Sequence, residues 1–123
     1  MLFRSKQIKL YDSLGNQTML DEAHIRNMIA QIPDIDLCNP HTTYCDPQCG
    51  TGTILLVLAD VLMDKLSKVI PDENKRLTHI FTKQIYGIDI DKTQVLLAKS
   101  NFKRALNNNQ FEVNIAQIGR AHV

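Results

Sequence analysis

The sequence lacks an excess of charge of either sign. Its 123 residues contain 14 lysines and arginines against 13 aspartates and glutamates, which gives a formal net charge of +1. Nucleic-acid-binding domains commonly carry a basic surface, and the overall balance gives no indication of one. An enzyme that acts on DNA through a surface elsewhere is still allowed. With 44% hydrophobic and 22% charged residues, the composition is typical of one small globular domain or a part of a larger one.

Targeting and membrane signals are also missing. The first ten residues contain no apolar core of the kind that signal peptides have. The most apolar stretch, residues 54–66, is interrupted by Asp60, Asp64 and Lys65. A membrane span needs about 20 predominantly apolar residues, so this stretch predicts a buried helix. We therefore expect a cytoplasmic protein that does not associate with membranes.

The cysteines do not form a recognisable metal-binding pattern. Cys38, Cys45 and Cys49 include no C-x-x-C pair, although His41 lies between the first two. Their spacings fit no common structural zinc site. We therefore predict no metal site and interpret the three residues as reduced thiols.

The hydrophobic pattern predicts alternating helices and strands. Apolar residues recur at three- and four-residue spacing from Asp21 to Ile32, which indicates a helix with Met28 in its buried stripe, and residues 34–39 follow as a connector. Strands are predicted at 41–45, 85–90 and 111–115, and helices at 53–69, 75–83 and 92–106. This order predicts an α/β fold with a parallel, doubly wound sheet and right-handed crossovers.

A glycine loop between the first predicted strand and an apolar helix is the most distinctive local feature. Gly50 and Gly52 let the backbone turn with positive φ and leave no Cβ in the way of a ligand. Thr51 or Thr53 is predicted to cap the helix, whose first N–H groups favour a polar or anionic ligand. Asp46 adds a carboxylate, which disfavours a pyrophosphate and favours a cationic or hydroxyl-rich group.

A second acid, Asp89, ends the next predicted strand. The carboxyl ends of parallel strands meet at one edge of the sheet, where ligands bind, so we expect Asp89 beside Asp46. Asp89 is placed to accept hydrogen bonds from both hydroxyls of a ribose, and Ile90 to lie against an adenine. The alternative is that Asp89 only caps the strand end. Asp91 and Gln94 are predicted to form a capping box at the start of the following helix.

These two segments resemble motifs of the S-adenosylmethionine-dependent N6-adenine DNA methyltransferases, which include modification subunits of restriction systems and phage enzymes. Residues 46–52, Asp-Pro-x-Cys-Gly-x-Gly, are similar to motif I of that family, and residues 86–91, Tyr-Gly-Ile-Asp-Ile-Asp, to motif II. The resemblance covers about residues 15–115. It implies a class I methyltransferase fold, Rossmann-like and here truncated after about three strands.

The resemblance implies S-adenosylmethionine as the cofactor. Asp46 and the glycine loop would hold its methionine end, Asp89 its ribose and Ile90 its adenine. Thr18 corresponds to the Phe-Thr-Pro element that lines the methionine pocket, although the proline is absent here. The cofactor-binding residues implied in this way are Asp46, Pro47, Cys49, Gly50, Gly52, Asp89, Ile90 and Thr18.

The resemblance assigns no catalytic residue to this chain. The family orients its target adenine with an Asn/Asp-Pro-Pro-Tyr/Phe motif, which does not occur here, and the run Asn39-Pro40-His41 does not replace it. We therefore expect the cofactor-binding half of an enzyme, inactive alone. Double-stranded DNA and restriction–modification subunits would be partners of the whole protein through regions that are missing here.

Three segments and three rival functions complete the sequence-based expectations. Residues 1–20 are an N-terminal segment, 21–117 a partial methyltransferase domain, and 118–123 match the translation of a common sequencing adapter and are expected to be non-native. The rivals are a methyltransferase acting on RNA or protein, an inactive binding-only remnant and a nicotinamide-dependent oxidoreductase. The last is disfavoured because no glycine stands three residues after Gly52.

Overall fold

The computed structural model describes residues 22–106 and 111–119; Thr18 and the rest of the predicted segment 1–20 lie outside these ranges. The helices are α1 (Glu22–Ile29), α2 (Asp34–Leu37), α3 (Thr53–Lys65), α4 (Glu73–His79) and α5 (Lys92–Leu106), and a π-helical turn (Ile80–Gln84) continues α4. The strands are β1 (Tyr44–Asp46), β2 (Ile85–Asp89) and β3 (Ile115–Gln117).

The three strands form one parallel sheet in the order β1-β2-β3. Helix α3 connects β1 to β2, and α5 connects β2 to β3. In the register of the sheet, Asp46 lies beside Gly87, and Asp89 lies beside Gln117. The predicted α/β fold with a Rossmann-like parallel sheet is confirmed, and the central strand β2 ends at the edge where the predicted site lies.

The core of the molecule surrounds α3, which packs against α1, α4, the π-helical turn and β2. Because α3 has neighbours on nearly every side, its residues are apolar on nearly every side. Phe81 from the π-helical turn and Phe102 from α5 meet edge to face, with ring centroids 5.0 Å apart, and both are fully buried. Burial of such side chains contributes about 1.5–3 kcal/mol each. This core holds the two crossover helices against β2.

One charged side chain of this helix, Asp60, is buried. Asp60 is 4% exposed and accepts a hydrogen bond from the guanidinium of Arg26 on α1, which also bonds Glu22. Burial alone would lower the pKa of Arg26, but the carboxylates of Asp60 and Glu22 raise it above its usual value. The ion pair therefore joins α1 to α3. Among the described helices, none combines the length and the hydrophobicity needed to cross a membrane.

The first strand starts later than predicted. Residues 41–45 were expected, but β1 is Tyr44–Asp46. The side chain of Asn39 accepts a hydrogen bond from the amide of His41 at 2.9 Å, and its carbonyl accepts one from Thr42 at 3.3 Å. The turn at Asn39 therefore takes up residues that were assigned to the strand.

The third strand is also displaced toward the C-terminus. It was predicted at 111–115 and is found at Ile115–Gln117. The side chain of Asn114 donates to the carbonyls of Phe81 and Ile85, at 3.2 and 3.4 Å. Asn114 therefore attaches the incoming chain to the start of β2, and its backbone carbonyl accepts the first hydrogen bond between the two strands, from the amide of Gly87 at 2.8 Å.

Two central helices have different limits from those predicted. The helix expected over 53–69 ends at Lys65, because the amide and hydroxyl of Ser67 both bond the carbonyl of Asp64 and tighten the chain into turns. The helix expected over 75–83 starts at Glu73, where Asp72 caps it, and it becomes π-helical from Ile80.

The N-terminal helices differ in two further respects. The predicted connector at 34–39 contains the one-turn helix α2, which starts just after Pro33. Helix α1 ends at Ile29 rather than Ile32, and Met28, which was predicted to be buried, is 41% exposed. Only Ile25 and Ile29, one turn apart, are buried on this short helix, so Met28 lies outside the narrow stripe that faces the core.

Candidate functional site

The glycine loop folds over the end of β2, so that the two predicted motifs meet. The amide of Cys49 donates to the carbonyl of Ile88 at 3.0 Å, and the amide of Gly50 donates to Oδ2 of Asp89 at 3.0 Å. Both bonds join residues about 39 positions apart in the chain. The loop after β1 and the acid at the end of β2 therefore form one continuous site at the carboxyl edge of the sheet, as predicted.

The two loop glycines both have positive φ, as predicted, but they differ in their surroundings. Gly50 has φ +54°, and a Cβ at this position would have no atom within 4 Å. Gly52 has φ +86°, and a Cβ there would lie 2.9 Å from the ring of Phe102. Gly52 is therefore required for close packing of the loop on α5, whereas Gly50 borders open space.

Helix α3 starts without a side-chain cap. Its N-cap residue is Gly52 in the left-handed conformation, and the hydroxyls of Thr51 and Thr53 lie 3.2 Å from each other. The prediction that one of these threonines caps the helix is wrong, because the residue at the N-cap has no side chain and the two hydroxyls pair together. The first amides of α3 thus receive no acceptor from the cap position.

Asp89 connects the glycine loop to the start of α5. Its Oδ2 accepts from the amide of Gly50, and its Oδ1 accepts from the amide of Asp91 at 2.9 Å. The strand-end role that was the alternative for Asp89 is therefore present. Each carboxylate oxygen has two acceptor positions, so these bonds leave capacity for a ribose hydroxyl. Ribose binding by Asp89 stays a prediction.

Asp91 caps α5, but the capping box is incomplete. Its Oδ1 accepts from the amides of Thr93 and Gln94, at 2.8 and 3.3 Å. The expected return bond from Gln94 is not made, because the amide of Asp91 donates to Asp89 instead. The buried Oε1 of Gln94 has no hydrogen-bond partner among the described residues.

Asp46 and Pro47 form the entrance to the loop. Oδ1 of Asp46 accepts from the amide of Gln48 at 3.0 Å, which closes a local turn at the strand end. Asp46 is half-buried and Pro47 is exposed. The carboxylate of Asp46 therefore stands at the end of β1, next to the strand that carries Asp89.

Cys49 lies beneath the loop, and the pKa of its thiol is influenced by the nearby acids. The side chain is 5% exposed, and its thiol lies 3.7 Å from the carbonyl of Gly50. Burial, together with the negative charges of Asp89 and Asp46, raises the pKa of Cys49 to about 11. The thiol is therefore neutral at physiological pH, and the carboxylates of Asp46 and Asp89 both contribute to this.

Ile90, the predicted adenine contact, is 56% exposed beside Asp89. Its carbonyl accepts a hydrogen bond from the side chain of Gln117 at 3.1 Å, which ties it to the end of β3. A large apolar side chain thus stands in solvent next to the acid, where a flat ring could cover it. Thr18 lies outside the described residues.

Two residues that support the site were not predicted. A Cβ on Gly87 would lie 2.9 Å from Cys49, from Leu55 and from Ile115, so a glycine in the middle of β2 lets the loop and α3 approach the strand. The isolated glycine in a β-branched strand was a usable signal for such a close approach. Asn101, 4% exposed on the inner face of α5, donates to the carbonyl of Thr51 at 2.9 Å and so holds the loop from the other side.

The cysteines do not gather into a metal site in the described ranges. Cys38 is half-buried, Cys45 is exposed and Cys49 is buried, and all three are free thiols. No group of three or more histidine, cysteine or acidic side chains comes together among residues 22–106 and 111–119.

The chain is similar to known methyltransferases. A family model described as an RMKL-like methyltransferase domain matches residues 15–121. A curated relative, an uncharacterized adenine-specific methylase of Mycoplasma pneumoniae, is 30% identical over 114 residues, which cover 84% of this chain and 25% of that protein. The chain thus spans about a quarter of the length of that relative.

Proposed function

The chain belongs to the family of RMKL-like methyltransferase domains, and we propose that it forms the S-adenosylmethionine-binding half of a DNA adenine-N6 methyltransferase. The predicted membership in a methyltransferase family is confirmed, and S-adenosylmethionine is the usual cofactor of such domains. Adenine N6, DNA and the binding roles of single residues are the parts that we propose. We place the methyltransferase part at residues 21–117, after an N-terminal segment 1–20.

The observation that carries the proposal is the hydrogen bond from the amide of Gly50 to Asp89, which joins the glycine loop to an acid at the neighbouring strand end. Beside it lie the open space at Gly50 and the start of α3, which lacks a side-chain cap. Free amides favour the carboxylate of a ligand, whereas Asp46 and Asp89 favour its cationic and hydroxyl groups. The methionine end and the ribose of S-adenosylmethionine carry all of these groups.

Each residue then has a defined role. Asp46, with Pro47 to direct the loop, would bind the amino group of the methionine end, and Asp89 would accept hydrogen bonds from the ribose. Ile90 would cover one face of the adenine. Cys49 stays a neutral thiol beneath the loop, and therefore a weak nucleophile. Gly50 and Gly52 would let the loop approach the ligand closely, and Thr18 would line the methionine pocket.

Adenine as the acceptor is supported by the relative from Mycoplasma pneumoniae, which is described as an adenine-specific methylase. An adenine in a duplex must be turned out of the stack before its amino group can be methylated. Orientation of that base is assigned to the longer protein, because the motif that would do it is not in this chain. Double-stranded DNA and restriction–modification subunits are the partners that we propose for the longer protein.

The test is a transfer assay with S-adenosylmethionine labelled in its methyl group. The 123-residue chain and the longer protein from the native gene are incubated with duplex DNA, with RNA of the same sequence and with a protein mixture. We expect the chain alone to leave all three unlabelled, and the longer protein to produce N6-methyladenine in DNA. Nucleoside analysis of the digested product identifies the methylated atom.

An Asp89→Asn variant of the longer protein is the matched control and should lose most of the labelling at low cofactor concentration. Label in RNA or in protein, with none in DNA, would contradict the proposed acceptor. A longer protein that reduces a nicotinamide cofactor and transfers no methyl group would contradict the reaction itself.

A further inference from the structure

The outer face of α5 carries a groove that the proposed cofactor site does not use. It has a volume of about 470 Å³ and is lined by Leu96, Lys99, Ser100, Lys103 and Arg104, which we call the α5 basic groove. These positions follow one another at intervals of three, one, three and one residues, so they lie on one face of the helix. Leu96 is 57% exposed within it.

Positive charge is concentrated in this helix although the chain as a whole is balanced. Helix α5 contains Lys92, Lys99, Lys103 and Arg104 and has no acidic residue, whereas the net charge of the protein is only +1. Attraction to the helix dipole accounts for the two cations in the last turn. It does not account for Lys99, in the middle of the helix.

The two lysines of the groove are not neutralised within the described part of the chain. Lys99 and Lys103 are four residues apart, and like charges at this spacing destabilise a helix. The salt bridges found among the described residues join Arg26 to Glu22 and Asp60, and Lys65 to Asp34. Neither lysine of the groove takes part in one, so the cost of placing them together is not recovered inside the protein.

We propose that the α5 basic groove binds the phosphate backbone of the nucleic acid that carries the target base. This inference rests on the proposed function, because it assumes an acceptor within a nucleic acid. Asp91, which caps α5, lies at the carboxyl edge of the sheet, and the rise of the helix places Lys99 about 12 Å and Lys103 about 18 Å along the axis from it. The axial distance of about 6 Å between them is close to the rise of two base pairs in a duplex, which has one phosphate per strand for about every 3.4 Å of its axis.

The groove is also connected to the cofactor loop. Arg104 donates to Oδ1 of Asn101 at 3.2 Å, and the side-chain amide of Asn101 in turn donates to the carbonyl of Thr51. A strand bound along the groove would therefore lie on the helix that holds the glycine loop. For the same reason Arg104 is unsuitable for a test, since its removal would disturb the loop as well as the groove.

The experiment uses the double variant Lys99→Gln/Lys103→Gln, which removes two charges and keeps side chains of high helix propensity. Fluorescence anisotropy measures the Kd for one labelled 20-mer as duplex DNA, single-stranded DNA and RNA, at several salt concentrations. We expect the Kd to rise at least about tenfold at low salt. The slope of log K against log salt should become shallower by about 1.8 for the duplex, or about 1.4 for a single strand, because two phosphate contacts are lost.

The matched control is Lys68→Gln/Lys75→Gln, two exposed lysines after α3 and in α4. Both double variants change the net charge from +1 to −1, so only the position of the lost charges differs. We expect the control to change the Kd less than about twofold. The groove variant should melt at an unchanged or slightly higher temperature, since a repulsion within α5 is removed.

Equal weakening in both variants, or no binding of any of the three nucleic acids by the unaltered chain at low salt, would overturn the inference. So would a polyglutamate peptide that binds the groove more tightly than the nucleic acids do, since it would indicate an acidic protein partner. The ranking of duplex, single strand and RNA identifies the source of the phosphates. Cofactor binding, titrated separately, tests the proposed function, so the two can fail independently.

Discussion

The two strand-to-helix junctions of the sheet begin their helices in opposite ways. At the β1–α3 junction the N-cap is Gly52, which has positive φ and offers no side chain to the first amides of the helix. At the β2–α5 junction the carboxylate of Asp91 accepts from the amides of Thr93 and Gln94. Amides bonded to a cap are not available to a ligand, so the comparison separates a junction suited to binding from one that stabilises the fold.

Asp89 belongs to both junctions. One oxygen of its carboxylate holds the loop of the first junction through Gly50, and the other holds the start of α5 through Asp91. Through Asp89, the β2–α5 junction thus positions the glycine loop of the β1–α3 junction. Asp89, which the sequence assigned to a ligand, therefore also has a structural role when no ligand is bound.

Among these substitutions, replacement of Gly52 by alanine at the β1–α3 junction should lower the free energy of unfolding most. An alanine would have to adopt the left-handed backbone conformation of Gly52, at a cost of about 1–2 kcal/mol. Its Cβ would also meet the buried ring of Phe102, at a further cost of about 1–3 kcal/mol. Denaturant unfolding followed by circular dichroism measures the sum. Gly50→Ala is the control: its Cβ meets nothing within 4 Å, so only the backbone cost should appear. Equal losses in the two variants would contradict the packing argument.

Replacement of Asp89 by alanine should affect both junctions at once. We expect cofactor binding to weaken by about 1.5–3 kcal/mol, the range for a hydrogen bond to a charged group, and the free energy of unfolding to fall as well. Calorimetric titration and denaturant unfolding measure the two effects. A variant with lowered stability but unchanged affinity would mean that Asp89 serves only the fold.

Replacement of Asp91 by alanine should affect the structural junction alone. Loss of the cap should lower the free energy of unfolding by about 1 kcal/mol, and cofactor affinity should change little. The same two measurements apply, which makes Asp91→Ala the direct counterpart of Asp89→Ala. A fall in affinity as large as that of the Asp89 variant would show that the ribose acid has been wrongly assigned.

The smallest effect at neutral pH concerns Cys49. Its pKa is raised to about 11 in the folded protein, above the usual value of about 8.5 in an unfolded chain. The stability that comes from keeping the thiol neutral is therefore complete below pH of about 8.5 and is lost as the pH rises toward 11. Comparison of unfolding with a Cys49→Ala variant across this window measures it.

Alkylation gives a second measure of the same thiol. Iodoacetamide at pH 8 should label the exposed Cys45 in the folded protein and leave the buried Cys49 unlabelled, as read by peptide mass spectrometry. Labelling of both at similar rates would contradict the burial of Cys49 beneath the loop.

The β1–α3 junction was largely predictable from the sequence, because its conformation depends on residues close together in the chain. Two glycines between a strand and an apolar helix require positive φ, and parallel strands bring their carboxyl ends to one edge. The expectation that the loop lies beside Asp89 follows from these rules alone. The structure adds the bond between them and the packing of Gly52 on Phe102.

The remaining features depend on contacts between distant segments, which no local pattern contains. The start of β3 is determined by Asn114, which bonds carbonyls about 30 residues earlier in the chain. The support of the loop by Asn101 likewise joins residues 50 positions apart. The threonine cap was mispredicted because a capping preference was applied where the N-cap residue is a glycine.

Calorimetric titration of the chain with S-adenosylhomocysteine, S-adenosylmethionine and NAD tests the central claim most directly. The two acids, the open loop and the uncapped start of α3 predict saturable binding of both adenosyl ligands. They also predict no binding of NAD, because its pyrophosphate would lie at the glycine loop, beside the carboxylate of Asp46. Preference for NAD, or no binding of either adenosyl ligand by the folded chain, would contradict the account.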